Sequence, residues 1–166
     1  MTYICLRRRG TAKVVCVLFF LLALLCGIFS SLEIGWRGIW QILMLASLVA
    51  VIQISQRYLL SGYEYILDPA DEILKRNRMT IIRTQGKKRF SVLTLNLKNM
   101  TAVIPYTKSK NLKEEYGHLS SRMNFCADMF PAESYILLFE TNGELSSVRI
   151  QCGEDFASEL KLRASV

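Results

Sequence analysis

Five cysteines and one histidine are the side chains in this sequence best suited to metal binding or nucleophilic chemistry. The cysteines are Cys5, Cys16, Cys26, Cys126 and Cys152. They show no paired zinc-ligand spacing, and the single histidine, His118, lies in a polar stretch without a second ligand near it in sequence. We therefore predict no metal centre. Cys126 and Cys152 fall in predicted strands and are expected to be small core residues of a reducing compartment, with a redox pair as the alternative.

The acidic residues and glycines give no stronger indication of catalysis. Glu114 and Glu115 are adjacent, which points their side chains in different directions on most backbones and disfavours an acid–base pair. The sequence contains neither a phosphate-binding glycine loop nor a dinucleotide fingerprint. A nucleophile would also need a base, and the spacing provides no partner for His118. We predict a protein that is not an enzyme and that uses no cofactor.

Two long apolar runs occupy the first third of the chain. Residues 14–34 carry no charge before Glu33, and residues 38–58 have only uncharged polar interruptions before Arg57. At about 1.5 Å per residue, about 20 helical residues reach the roughly 30 Å thickness of a hydrocarbon core. The sequence therefore predicts a transmembrane helical hairpin over residues 14–60. The alternative is a removable signal peptide, which also has a basic start and an apolar core, but here a second span follows at once.

Charges beside the two runs predict the orientation of the hairpin. The residues before it are basic without an acidic neighbour, whereas the connection carries one charge of each sign. These residues are Arg7, Arg8, Arg9 and Lys13 before the hairpin, and Glu33 and Arg37 in the connection. Because Lys and Arg near membrane ends stay on the cytoplasmic side, we predict a multi-pass protein of the cell membrane with both termini cytoplasmic. The chain then divides into a basic N-terminus (1–13), the hairpin (14–60) and a cytoplasmic domain (61–166).

Small residues in the two runs predict how the helices pack. They recur at i, i+4 and i+7, and antiparallel counting places Ala23 level with Ala50. The predicted packing residues are Ala23, Gly27, Ser30, Ala46, Ala50 and Gln53. Since lipid supplies no hydrophobic drive for helix association, close approach and inter-helix hydrogen bonds are expected to hold the pair together. Gln53 is the expected polar contact, and the alternative is that it reaches the headgroups.

Aromatic residues at the ends of the second run predict its depth in the bilayer. Amphipathic rings prefer the headgroup level of a membrane. Trp36 and Trp40 are placed at the outer boundary, and Tyr58 at the inner one. We expect these three residues to act as interface anchors.

From residue 61 the pattern changes to short strand-like segments. Alternating apolar and polar side chains predict seven strands, and Asn142-Gly143 is the strongest hairpin signal in the chain. The predicted strands are 63–68, 79–84, 90–97, 100–106, 122–127, 134–140 and one directly after Gly143. Apolar residues from Phe156 to Ala164 then recur on one side of a predicted helix over 154–164. We expect this helix to pack on the sheet.

This arrangement resembles the bacterial pleckstrin-homology-like domains found behind one or two membrane spans. The resemblance covers about residues 63–164 and lies in the strand order, in the stretch 95–103 between the third and fourth strands, and in the helix that begins near Glu154. It implies an α+β membrane protein in which seven antiparallel strands form a barrel or sandwich closed at one end by the C-terminal helix. The family pattern carries no catalytic signature.

Charge is divided unevenly within the predicted domain. Residues 75–113 hold eleven basic residues and no acidic one, whereas the chain from Glu114 onward is net acidic. A basic half beside a bilayer could face anionic headgroups, each charge contributing on the order of 1 kcal/mol. The turn tip formed by Lys87, Lys88 and Arg89 is the best candidate for this contact. The alternative is a solvated face balanced by the acidic later strands, and no nucleic-acid partner is predicted because no recognised binding module occurs.

The sequence as a whole favours a non-enzymatic, membrane-anchored binding or scaffolding protein that presents its domain at the cytoplasmic membrane face. The expected partners are the lipid bilayer, with its anionic headgroups, and either a second copy of the chain or another membrane protein. The alternative is an accessory or regulatory subunit of a transporter or membrane-bound enzyme complex. In that case the hairpin would pack against the helices of the partner.

Overall fold

The chain forms two compact units of different architecture. The computed structural model describes residues 2–5, 10–32, 35–68, 77–107, 116–141 and 143–164. Arg8–Ser61 makes up one unit, which is helical, and the N-terminal segment together with the chain from Gly62 onward makes up the other, which is mainly β. The predicted α+β class is therefore confirmed.

The helical unit contains two long helices. Helix α1 spans Gly10–Ser31, and helix α2 spans Arg37–Ile54 and continues as a π-helix over Ser55–Leu60. Gly10–Ser31 and Arg37–Leu60 are both long and apolar enough to cross a membrane. Only 17% and 6% of their apolar windows are buried within the protein, the opposite of a core helix in a soluble protein. The two predicted runs, 14–34 and 38–58, therefore correspond to two largely unburied apolar helices.

An N-terminal strand is the main difference from the predicted organisation. Strand β1 (Thr2–Ile4) pairs antiparallel with β2 (Ser61–Leu67), and Tyr3 lies opposite Tyr65. Residues 1–13 were predicted to be a basic N-terminus without a strand. A strand of three residues is too short to show an alternating pattern in the sequence. In the structure the helical hairpin is therefore inserted between two neighbouring strands of one sheet.

In the described part of the chain, eight strands form two four-stranded sheets. The remaining strands are β3 (Arg78–Gln85), β4 (Lys88–Asn96), β5 (Met100–Pro105), β6 (Ser121–Asn124), β7 (Tyr135–Thr141) and β8 (Glu144–Ile150). The strand orders are β1-β2-β3-β4 and β5-β7-β8-β6. These described strands stay in two separate sheets and do not close into a barrel.

One strand pair is parallel, which corrects the prediction of a purely antiparallel arrangement. β6 runs parallel to β8, with Ser121 opposite Ser146. β7 and β8 form an antiparallel hairpin whose turn contains Gly143 at φ +79°, while the preceding Asn142 lies outside the described residues. β6 and β7 point in opposite directions, as hairpin strands would, but β8 lies between them. Alternating patterns identify the strands but do not specify which strands pair with each other. The placement of β8 between β6 and β7 could therefore not be predicted from the sequence.

The core of the β unit lies between the two sheets and helix α3 (Glu154–Ala164). Its fully buried large side chains come from both sheets and from the helix, and burying each contributes about 1.5–3 kcal/mol. They are Tyr65, Leu67, Met79, Ile81, Leu97, Leu137, Val148, Ile150, Phe156 and Leu160. The predicted helix over 154–164 is confirmed, and Glu154 and Asp155 in its first turn complement the helix dipole.

A smaller cluster covers the opposite face of the second sheet. Ile136 and Leu138 alternate with the core-facing residues of β7 and are buried there. Tyr116 and Leu119, which precede β6, pack against them. The second sheet is therefore apolar on both faces along β7, which explains why this strand is an almost continuous apolar run.

Candidate membrane interface

The helical hairpin packs along a narrow seam of small and polar side chains. The buried residues of α1 recur at separations that combine three and four residues, the spacing that keeps one helix face toward a partner. They are Ala12, Cys16, Ala23, Cys26 and Ser30. On α2 the buried residue is Ser47, with Trp40, Met44, Val51 and Ile54 half-buried on the same face. The seam residues of α1 thus have the three-and-four spacing of a coiled-coil contact face.

Two inter-helix contacts define how the helices are aligned. The Cys16 Sγ atom lies 3.5 Å from Ser55 Oγ, a hydrogen bond between the first turns of α1 and the C-terminal part of α2. Near the connection, a Cβ atom added to Gly27 would lie 3.5 Å from Met44 Sδ, an ordinary van der Waals contact. Counting one turn back along α1 from Gly27 brings Ala23 level with Leu48.

The predicted packing residues divide between the two helices. On α1, Ala23 and Ser30 are buried and Gly27 is half-buried. On α2 the structure differs from the prediction. Ala50 is half-buried, but Ala46 and Gln53 are exposed. Ser47 takes the central place because it is as small as Ala46 and its hydroxyl donates to the Leu43 carbonyl at 2.8 Å, so burying it leaves no hydroxyl without a partner.

The aromatic anchors lie at the two ends of α2. Trp36 is 81% exposed, and the Trp40 ring lies 5.0 Å from the ring of Phe29 on α1. At the other end the Arg57 guanidinium lies 5.4 Å from the centre of the Tyr58 ring. The eighteen residue steps from Trp40 to Tyr58 rise about 27 Å at about 1.5 Å each, close to the roughly 30 Å thickness of a hydrocarbon core. The spacing suits rings placed at two opposite headgroup regions.

The basic tip is an exposed two-residue turn between β3 and β4. Gln85 pairs with Lys88, and Gly86 has a backbone φ of +61°, a conformation that residues other than glycine rarely adopt. Lys87, Lys88 and Arg89 are all exposed. The structure thus presents the three predicted basic residues together at the end of a hairpin.

Arg89 differs from its two neighbours because it pairs with a buried carboxylate. Its guanidinium Nη2 donates to Glu64 Oε1 at 3.3 Å, and the Glu64 side chain is only 11% exposed. Lys87 and Lys88 make no ion pair with a described residue. The charge at the tip that is available to an external partner therefore belongs mainly to these two lysines.

Two exposed apolar residues next to the tip were missed by sequence reasoning. Phe90 is 49% exposed and Val92 is 44% exposed, both on β4, which is an edge strand of its sheet. Their sequence signal is the period-two pattern itself, because counting back from Leu93 and Leu95 puts Phe90 and Val92 on the same side as the exposed Thr94 and Asn96. The tip consequently combines positive charge with apolar surface, the composition of segments that bind lipid surfaces.

The Tyr3 side chain adds to the backbone pairing that holds the N-terminal strand in the β unit. The Tyr3 ring centre lies 4.8 Å from that of Phe156 on α3 and 6.3 Å from that of Tyr65 on β2. Its hydroxyl accepts a hydrogen bond from the Gly153 backbone N–H at 2.9 Å. β1 is therefore part of the packed unit although it is separated from β2 by the whole hairpin.

The cysteines, which are the residues best suited to nucleophilic chemistry, are buried. All five cysteines are in the described part of the chain and are buried thiols, and Cys126 and Cys152 follow β6 and β8 instead of lying within strands. Burial raises the pKa of the Cys152 thiol to about 12, with smaller contributions from the neighbouring Cys5 and Cys126 thiols. A thiol held in its protonated form is a poor nucleophile.

A buried tyrosine joins the loops that carry these cysteines. The Tyr65 hydroxyl donates to the Phe125 carbonyl at 3.0 Å and accepts from the Gln151 N–H at 3.1 Å. Burial raises the pKa of the Tyr65 phenol well above its ordinary range. Both of its hydrogen-bonding functions are occupied by backbone groups, so its role here is structural.

No described group of three or more His, Cys, Asp or Glu side chains is placed to hold a metal ion. His118 is exposed in the segment before β6. Glu114 and Glu115, the adjacent acidic pair, lie outside the described residues. Comparison of the chain with protein-family models, with curated proteins and with solved structures finds no match.

Proposed function

We propose that this chain is a non-enzymatic, membrane-anchored binding or scaffolding protein. In this proposal α1 and α2 cross the cell membrane, and a pleckstrin-homology-like domain is presented at its cytoplasmic face. Support for the two crossings comes from the length, apolarity and low burial of Gly10–Ser31 and Arg37–Leu60. Support for the domain type comes from two packed sheets followed by a C-terminal helix that contributes Phe156 and Leu160 to their core.

The observation that carries the proposal is the pairing of β1 with β2. β1 precedes the hairpin and β2 follows it, yet Thr2 lies opposite Ile66 in the same sheet. A hairpin with two crossings returns the chain to the side from which it started, which this pairing requires. A signal peptide removed after α1 would take β1 away from the sheet. The excess of basic residues before α1 favours the cytoplasm as the shared side.

Anionic lipid is the proposed partner of the β3–β4 tip. Lys87 and Lys88 supply charge, and the exposed Phe90 supplies apolar surface that can enter the headgroup region. Each lysine near an anionic surface contributes on the order of 1 kcal/mol, and the attraction fades over about 8 Å at physiological salt. The mechanism is tethering, in which the hairpin supplies the anchor and the tip orients the domain.

Limited trypsin digestion of the full chain in vesicles tests this proposal. We expect cleavage at Lys87 and Lys88 to be slower in phosphatidylcholine vesicles containing phosphatidylglycerol than in phosphatidylcholine alone. High salt should remove the difference. In the Lys87→Gln/Lys88→Gln variant, cleavage after Arg89 should lose most of its dependence on lipid charge, whereas Lys161→Gln on α3 should leave the protection unchanged.

Two results would count against the proposal in different ways. Equal cleavage at the tip in both lipids would reject the lipid contact but leave the anchor intact. Release of the chain from membranes by alkaline carbonate, which strips proteins that do not cross the bilayer, would reject the anchor itself.

A further inference from the structure

The outer side of α2 carries a polar amide where a lipid-facing helix would have an apolar side chain. Gln53 is exposed, and its side-chain amide has no hydrogen bond to a described residue. It lies about a third of a turn away from the seam residue Ser47 around the helix axis. The packing of α1 against α2 therefore leaves Gln53 pointing away from the hairpin.

The direction of α2 prevents Gln53 from reaching water easily. Side chains on a helix tilt toward its N-terminus, and α2 starts at the connection between the helices and ends at Leu60. The Gln53 side chain is therefore directed toward the middle of the helix, away from Arg57 and the nearer end. Gln41 lies near the start of the same helix, so the same tilt directs its amide toward the headgroups.

A neighbouring stripe of side chains would let another helix approach Gln53 closely. Ile42, Ala46, Val49 and Gln53 follow one another at separations of four, three and four residues on the exposed side of α2. Ile42 is 68% exposed and Val49 is 51% exposed, so neither is covered by α1. Ala46 has the small side chain that permits close contact between backbones.

We infer that this stripe of α2 is the contact surface for a second copy of the chain, forming a parallel, two-fold symmetric dimer through Gln53. An amide carries both donors and an acceptor, so two Gln53 side chains related by a two-fold axis satisfy each other. Copies of one chain share one orientation in the membrane, which brings both amides to the same depth. This inference rests on the proposed crossing of the membrane by the hairpin.

The test measures association of the full chain in vesicles by energy transfer between donor-labelled and acceptor-labelled copies, over a range of protein-to-lipid ratios. We expect a dimer whose dissociation constant rises about three- to thirtyfold in Gln53→Leu, the range given by inter-helix hydrogen bonds in membranes. Gln53→Asn should retain most of the association because it keeps the amide. Ala46→Leu should weaken the dimer by separating the backbones. Gln41→Leu, which removes an amide at the headgroup level, is the matched control and should leave association unchanged.

Three outcomes would overturn the dimer. The first is a monomer at every protein-to-lipid ratio, and the second is a dimer equally stable in Gln53→Leu. The third is co-purification with a different membrane protein at fixed stoichiometry in place of self-association, which would support the accessory-subunit function instead. Carbonate extraction separates these results from failure of the anchor, because a chain that resists extraction and stays monomeric rejects the dimer alone.

Discussion

The β unit and the helical hairpin are held together by opposite kinds of side chain. The β core is made of large apolar residues such as Tyr65, Leu137 and Phe156, all exposed by 1% or less. The seam of the hairpin is made of Ala, Cys and Ser, while its large apolar residues face outward. In water the hydrophobic effect favours the burial of large apolar side chains, whereas in lipid this driving force is absent and such side chains stay on the surface. The difference is the one expected if the hairpin lies in lipid, as proposed, and the β unit lies in water.

Buried polar groups follow the same division. In the β unit they bond across long separations, as Tyr65 does to Phe125 and Gln151. In the hairpin the buried Ser47 hydroxyl bonds within its own helix, to the Leu43 carbonyl, and the bond across the helices is the weaker one between Cys16 Sγ and Ser55 Oγ. Polar groups therefore join distant segments of the β unit but contribute less to joining the two helices.

The largest contrast is expected from truncating a leucine in each unit. Leu137→Ala should lower the free energy of unfolding of the β unit by about 2–5 kcal/mol, because Leu137 is fully buried. Leu45→Ala should change the stability of the hairpin by less than about 0.5 kcal/mol, since Leu45 is 58% exposed. Urea unfolding in detergent micelles, followed by near-ultraviolet circular dichroism for the β unit and far-ultraviolet for the helices, measures both. Similar losses in the two variants would contradict the division between the units.

Alkaline pH should destabilise the β unit through Cys152. The folded state holds this thiol protonated to a pKa of about 12, whereas the unfolded chain releases the proton near the ordinary value of 9.0. The contribution of this thiol to the free energy of unfolding should therefore be constant below pH 9. Above pH 9 it should fall by about 1.4 kcal/mol per pH unit, until the folded thiol also ionises near pH 12. Cys152→Ser removes this titration, so its unfolding free energy should depend less steeply on pH between 9 and 12. An unchanged slope in that variant would exclude Cys152 as the cause.

A smaller effect is expected from the hydroxyl that fastens β1. Tyr3→Phe removes the acceptor of the Gly153 N–H but keeps the stacked ring, so the free energy of unfolding should fall by about 1 kcal/mol. Hydrogen exchange of the β1 and β2 amides should accelerate accordingly. Tyr106→Phe is the control, because it also removes a tyrosine hydroxyl but keeps the ring that contacts the Arg149 guanidinium. Equal exchange rates of these amides in Tyr3→Phe and Tyr106→Phe would mean that the Tyr3 hydroxyl does not stabilise the pairing of β1.

The smallest effect is expected in the seam of the hairpin. Ser47→Ala should change the association of α1 with α2 by less than about 0.5 kcal/mol, because the lost hydrogen bond lies within α2. Unfolding of the helices in mixed micelles of mild detergent and dodecyl sulfate measures this change. A loss above about 1 kcal/mol would show that the hydroxyl bonds across to α1 in the membrane.

Local patterns were enough to predict most elements of the chain. Two apolar runs predicted α1 and α2, and the predicted strands 79–84 and 90–97 placed Lys87 and Lys88 at the turn between them. The face of α2 that packs against α1 could not be predicted, because Ala46 and Ser47 are similarly small. Which of the two is buried depends on the alignment of the two helices. The pair of Glu64 and Arg89 was missed because its members are 25 residues apart. The parallel placement of β6 beside β8 likewise depends on contacts that local patterns do not contain.

Strand β1 also has a consequence for the order in which the chain is made. Tyr3 bonds to Gly153, a partner 150 residues later in the sequence. At roughly 5–20 residues per second, the ribosome takes on the order of 10–30 s to synthesise the intervening chain. The Tyr3 hydroxyl must therefore stay without this partner until the strands and the start of α3 have been made, although β1 can pair with β2 earlier. An N-terminal fusion partner would burden this late step, so a tag at the C-terminus is the better choice for producing the protein.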